Sequence, residues 1–159
     1  MNATRNSLSE NIRSTSAALL NRHLAAAIDL HAQVKQAHWN VRGAGFIGLH
    51  ELFDVISSEV EDWSDILAER AAALGGAADG TVQRAAERSY LAPYTLSVAD
   101  GPSHVAAVAD ALAAFSTEAR LGLDEAAAQG DPVTADVLTG VVRAADLALW
   151  KLESHQQPA

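Results

Sequence analysis

The chain has no cysteine, only two lysines (Lys35 and Lys151), four prolines and no apolar run approaching the length of a bilayer span. Without thiols there is no disulfide framework and no thiolate metal site, so any bound metal has to be held by nitrogen and oxygen. The shortage of lysine, with a formal charge of -9, disfavours binding to a phosphate backbone, which depends on cationic side chains displacing counterions. An acidic balance is better suited to attracting cations. A membrane span needs about 18 or more apolar residues in a row, so a transmembrane role is excluded. The opening stretch MNATRNSLSENIRSTS lacks the apolar segment of a secretory signal, and the expected location is the cytoplasm.

What the chain does have is alanine, leucine and valine at helical spacing, with prolines only at 93, 102, 132 and 158, outside the long periodic stretches. The expected class is all-α, a single domain over 1–159 with short tails at 1–6 and 155–159. Ser7 and Glu10 form a capping box for a first helix from about Leu8 to Trp39 or Asn40, with the stripe Leu20, Leu24, Ala27, His31, Val34, His38. The segment VRGAG reverses the chain, and a second helix runs from Phe46 or Ile47 to about Leu74, where Gly75 and Gly76 can cap it. Residues 75–101 are too long for a simple bundle loop and read as a crossover carrying a short helix near Thr81 to Arg88. A third long helix starts around Pro102 to His104 and ends at Gln129. Asp131 and Pro132 then form the cap and first residue of a fourth, which runs to about Ser154. Two helical hairpins joined by one long crossover is ferritin-like four-helix connectivity.

Five potential metal ligands, His38, His50, Asp54, Asp65 and Glu69, fall within residues 38–69. His50 and Asp54 are four apart, as are Asp65 and Glu69, and Asp54 to Asp65 is eleven residues, close to three helical turns. The four side chains therefore share one stripe of the second helix. Along the axis, Asp54 and Asp65 are roughly 16 Å apart, whereas the ligands of one ion converge within about 2 to 2.6 Å of it. One helix cannot complete such a site. Pairing His50 with Glu69 and Asp54 with Asp65 gives a single midpoint, between Glu59 and Val60, where a twofold axis would cross two antiparallel copies. The spacing predicts a metal site shared by two subunits.

Glu-x-x-His, which supplies the usual intrasubunit dimetal centre of ferritin-like bundles, occurs nowhere in the chain. The segments KQAHWNVRG (35–43), FIGLHELFD (46–54) and DILAERAAALGG (65–76), with GDPVTAD (130–136) and LWKLESH (149–155), closely resemble the Dps family, the DNA-binding proteins from starved cells, or miniferritins. The similarity covers most of the chain and is densest from 35 to 76. The resemblance implies a homododecameric cage that oxidises ferrous iron, preferably with hydrogen peroxide rather than dioxygen, and stores the ferric product as mineral. It also implies that His38, His50 and Asp54 of one subunit meet Asp65 and Glu69 of its twofold mate as catalytic and metal ligands. Imidazole with carboxylate suits iron, zinc, cobalt or manganese. Trp39 would pack beside the site, and Asp131 and Asp136 would line acidic pores at the threefold axes, with Asp124 and Glu125 as weaker candidates.

Several residues have plainer readings. His31 on the apolar stripe reads as a hydrogen-bonded core residue, and His23, His104 and His155 as structural or surface residues. Glu61 shares the ligand stripe and could help nucleate mineral, but a solvated or packed position accounts for it. Asp131 competes for its pore role with its own helix cap. Family members that condense DNA use lysine-rich tails, which this sequence does not display, so an iron-detoxifying ferroxidase is expected over a nucleoid-associated, DNA-compacting protein.

Overall fold

The structure, a computed structural model, describes residues 1–156, and five helices make up its regular secondary structure: α1 (Glu10–Asn40), α2 (Phe46–Ala73), α3 (Val82–Arg88), α4 (Gly101–Ala128) and α5 (Pro132–Glu153). The all-α class and the order of elements match the expectation. The end of the tail expected at 155–159 lies outside the described residues.

The helix starts follow side-chain caps. Thr81 accepts from the Arg84 amide, Asp100 from Ser103 and Asp131 from Thr134, each satisfying a first-turn N–H that has no partner inside its helix. α1 begins two residues later than the Ser7 capping box predicts. Asn6 Oδ1 accepts from the Leu8 amide at 3.0 Å, a local turn that keeps residues 6–8 out of the helix, and Ser9 becomes the cap. α2 has no side-chain cap; it is entered through Gly45 at φ 77°, a left-handed conformation that favours glycine.

α1 and α2 form one antiparallel hairpin and α4 and α5 the other, with α1 packed on α4. α2 and α5 pack more loosely than either hairpin, and a groove runs between them. The apolar faces meet in a core that includes Leu20, Leu30, Phe53, Ile56, Leu67, Leu112, Phe115 and Leu138, all fully buried. Each such side chain contributes about 1.5–3 kcal/mol of burial. Two polar links bridge α2 and α5: Arg70 to Asp131 and Thr134 at one end, and Lys151 to Glu59 near the middle. Two tyrosine–histidine pairs pin the crossover, Tyr90 with His23 at 3.0 Å and Tyr94 with His104 at 2.6 Å.

The segment expected as a tail at 1–6 folds back on the end of α2. The Asn2 amide donates to the Gly75 carbonyl at 2.6 Å, and Arg13 Nη1 donates to the Leu74 carbonyl at 3.0 Å. Gly75 takes φ 86°, and a Cβ there would stand 2.7 Å from the Asn2 carbonyl oxygen, so both the turn and the docked segment require glycine.

Candidate metal centre

α1 ends at Asn40, so the carbonyls of its last turn lack helical partners, and at the turn end of the α1–α2 hairpin a histidine of α2 meets one of them. His50 Nδ1 donates to the His38 carbonyl at 2.9 Å, and His38 Nδ1 donates to the His50 carbonyl at 2.8 Å. The two rings stack at 3.8 Å between centroids, 21° from parallel. A carbonyl can only accept, so each Nδ1 carries a proton, which leaves Nε2 as the nitrogen that can offer a lone pair to a metal. This second hydrogen bond is what orients a metal-ligating histidine. The pair thus forms a reciprocal clasp that presents two Nε2 donors.

Asp54, one turn beyond His50, joins them. Its Oδ1 lies 3.9 Å from His38 Nε2 and 2.8 Å from Lys35 Nζ. The Lys35 hydrogen bond and charge hold the Asp54 carboxyl below its ordinary pKa, outweighing a small desolvation, with the nearby His38 and His50 acting in the same direction. Lys35 was not singled out from the sequence. Its position one turn before His38 on α1 was the available signal.

Asp65 and Glu69 are exposed on the outward face of α2, and no ion pair among the described residues reaches either of them. Among the described residues, no three histidine, aspartate or glutamate side chains come close enough within one chain to hold an ion. The structure sets His38 beside both His50 and Asp54 without closing a three-ligand site, and leaves Asp65 and Glu69 apart from them. Val55 and Ile66, apolar yet half exposed on the same helix, flank the expected twofold midpoint and are suited to being covered.

The remaining expected positions divide. Asp131 is fully buried: Oδ1 accepts from Arg70 Nη2 at 2.8 Å and from the Thr134 amide at 3.0 Å, and Oδ2 from the Thr134 hydroxyl at 2.6 Å. Burial raises its pKa, but the Thr134 hydrogen bonds and the Arg70 charge outweigh that and leave it lowered. With both oxygens occupied inside the chain, the expected pore role is withdrawn for Asp131. Asp136 is exposed and lines the α2–α5 groove with Asp62, Trp63 and Ile66. Trp39 is not packed within its own chain; it is 67% exposed, with Lys35 Nζ 5.9 Å from its ring centre. His31 is a structural link, its Nδ1 donating to the Ser57 carbonyl at 3.0 Å. Glu61, Asp62 and Asp65 line a shallow surface groove beside α1 and the crossover.

Comparison with known proteins identifies the fold and the family. The family model "Ferritin-like domain" matches residues 17–158. The DNA protection during starvation protein of Agrobacterium fabrum is 37% identical over 154 residues, covering 97% of this chain and 95% of that protein. Among solved structures, the tetragonal form of Mycobacterium smegmatis Dps superposes with a TM-score of 0.94 at 28% identity, over 100% of this chain and 96% of that one. DpsC from Streptomyces coelicolor gives 0.92 at 31% identity, over 99% and 93%. The fold and the matching domain make this a ferritin-like protein, and its relatives place it more narrowly: the chain belongs to the Dps miniferritin family.

Proposed function

We propose that this chain is the subunit of a dodecameric cage that oxidises ferrous iron with hydrogen peroxide at centres shared by two subunits and stores the ferric product. The observation that carries the reading is the division of α2. One end holds an oriented His38–His50–Asp54 half-site, and three turns away the carboxylates of Asp65 and Glu69 face outward without partners. A twofold mate running antiparallel would set each half opposite the other. Two ferrous ions then each give one electron to a peroxide, whose O–O bond breaks, and water supplies the remaining oxygen of the ferric oxyhydroxide as protons are released. The chain's part is to hold the ions adjacent, neutralise them with carboxylates and leave coordination positions open for the oxidant.

The relatives' name invokes DNA, but the charge of this chain favours protection through iron chemistry. Twelve copies at a formal charge of -9 would carry about -108, a field that repels duplex DNA. Most cations are already engaged: Arg22, Lys35, Arg70, Arg84, Arg88, Arg120 and Lys151 each pair with a carboxylate. Among the described residues, no helix is long and apolar enough to cross a membrane.

Stopped-flow absorbance of ferric formation, with peroxide and with dioxygen, tests the reading. Peroxide should be the faster oxidant, and Asp65→Ala or Glu69→Ala should slow the step while sedimentation shows an intact cage. Unchanged rates in both variants would remove these residues from the centre.

A further inference from the structure

The chain has no cysteine and a single methionine, Met1, so its easily oxidised side chains are its three tryptophans and two tyrosines. Trp39 and Trp150 are exposed, whereas Trp63 is 5% exposed, in the wall of the α2–α5 groove and two residues before Asp65 on α2. From there a file of rings crosses the bundle. Trp63 stacks on Phe115 of α4 with ring centres 5.9 Å apart and planes 19° from parallel, and Phe115 stacks on Tyr90 of the crossover at 6.5 Å and 22°. The file ends at His23 of α1, whose Nδ1 is 3.0 Å from the Tyr90 hydroxyl.

Among the described residues, that contact is the hydrogen bond that reaches the Tyr90 hydroxyl. An imidazole nitrogen is a better acceptor than a phenol oxygen, so Tyr90 donates and Nδ1 accepts. The ring's own proton then sits on Nε2, which has no partner among the described residues and is packed so closely on Gly122 that a Cβ there would stand 2.3 Å away. Burial pushes the Tyr90 phenol up, so it stays protonated at neutral pH and gives up an electron readily only if its proton leaves with it. His23 Nδ1 is the base in place to take that proton.

We propose that Trp63, Phe115 and Tyr90 form a one-electron relay that draws oxidising equivalents from the α2–α5 groove to a redox site made of Tyr90 and His23. The oxidant is a hydroxyl radical, formed with hydroxide when a ferrous ion gives a single electron to peroxide; only this source rests on the iron reading above. The radical takes an electron from Trp63 and a proton from solvent and becomes water. Tyr90 returns an electron to the Trp63 radical across Phe115, and its phenolic proton moves to His23 Nδ1, leaving a neutral phenoxyl radical beside an imidazolium. Phe115 is too hard to oxidise to hold the charge and serves as the bridge.

The test is pulse radiolysis of the assembled, iron-free protein with azide radical, a one-electron oxidant selective for indole. A Trp39→Phe, Trp150→Phe, Tyr94→Phe background leaves Trp63 as the sole indole and Tyr90 as the sole phenol. The indolyl absorption should decay as the phenoxyl absorption grows, at a rate independent of protein concentration. Adding Trp63→Phe or Tyr90→Phe should abolish that growth. Phe115→Leu, which keeps the core apolar, and His23→Gln, whose amide cannot take the proton, should each slow it several-fold. Indolyl decay without phenoxyl growth would overturn the relay, and an unchanged rate in Phe115→Leu or His23→Gln would overturn the route or the proton acceptor. Because iron is absent, none of these failures touches the shared metal centre.

Discussion

The two ends of α2 carry the two halves of one proposed centre, yet the chain treats them differently. At the first end His38 and His50 donate to each other's carbonyls, their rings stack, and Asp54 is paired with Lys35. At the other end Asp65 and Glu69 are exposed carboxylates on a polar helix face. The imidazole half is organised within the fold and is also part of what holds the α1–α2 hairpin together. The carboxylate half makes no ion pair among the described residues, and in the proposed centre it would act only opposite a second copy. A function distributed across an interface thus leaves one structural residue set and one that a monomer could discard.

Removing either half should cost the most in activity. His50→Ala with Asp54→Ala, and separately Asp65→Ala with Glu69→Ala, should each reduce peroxide-driven iron oxidation by about a hundredfold or more, since either removes half of the ligands. Stopped-flow rates on assembled protein check this. A loss confined to one double variant would show that a single half suffices.

The next effect concerns stability with pH. His23 is fully buried between Tyr90 and Gly122, and burial, helped by the nearby Arg22 charge, lowers its pKa to about 4. The unfolded chain binds the proton near the ordinary value of about 6.5, so stability falls as pH drops through the window from about 6.5 to about 4. The whole loss is on the order of 3 kcal/mol per subunit. Asp131, whose pKa is lowered, adds a further loss below the ordinary carboxylate range, because its stabilisation requires the ionised form. Denaturant midpoints across pH should show this acid sensitivity, and His23→Gln should flatten the upper part. An unchanged slope in that variant would mean that another group titrates there.

A smaller effect separates the halves by stability. His50→Ala leaves the His38 carbonyl without its partner at the end of α1 and should cost about 1–2 kcal/mol. Asp65→Ala and Glu69→Ala, at exposed positions without ion pairs, should stay within about 0.5 kcal/mol. Lys35→Gln should change stability little, as expected of a pair in which Asp54 is largely solvated. Melting of dissociated subunits compares them. Equal costs at the two ends would erase the distinction between a structural and an interfacial half.

Much of this was legible before the fold was known. Periodicity and punctuation located every helix, because Thr81, Asp131 and the glycines at 45 and 75 act through their own local chemistry. The displaced start of α1 was not legible, since it depends on the Asn6 turn competing with the Ser7 box. The ligand stripe was visible because helical spacing is a one-dimensional property. Long-range contacts were not: the Arg70 pair that buries Asp131 joins residues on separate helices, and so does the Lys35 contact with Asp54. The docking of Asn2 on Gly75 is hidden for the same reason.

If each centre is built from two chains, complementary mutant subunits should rebuild it between them. A His50→Ala, Asp54→Ala subunit and an Asp65→Ala, Glu69→Ala subunit are dissociated, mixed and reassembled, and hybrid formation is verified by differential mass labelling. In a hybrid pair, one of the two shared centres draws its imidazole half from one chain and its carboxylates from the other, with every ligand intact. Iron oxidation should return toward half the wild-type rate per hybrid dimer. Hybrids that assemble yet oxidise iron no faster than either parent would contradict a centre shared between subunits.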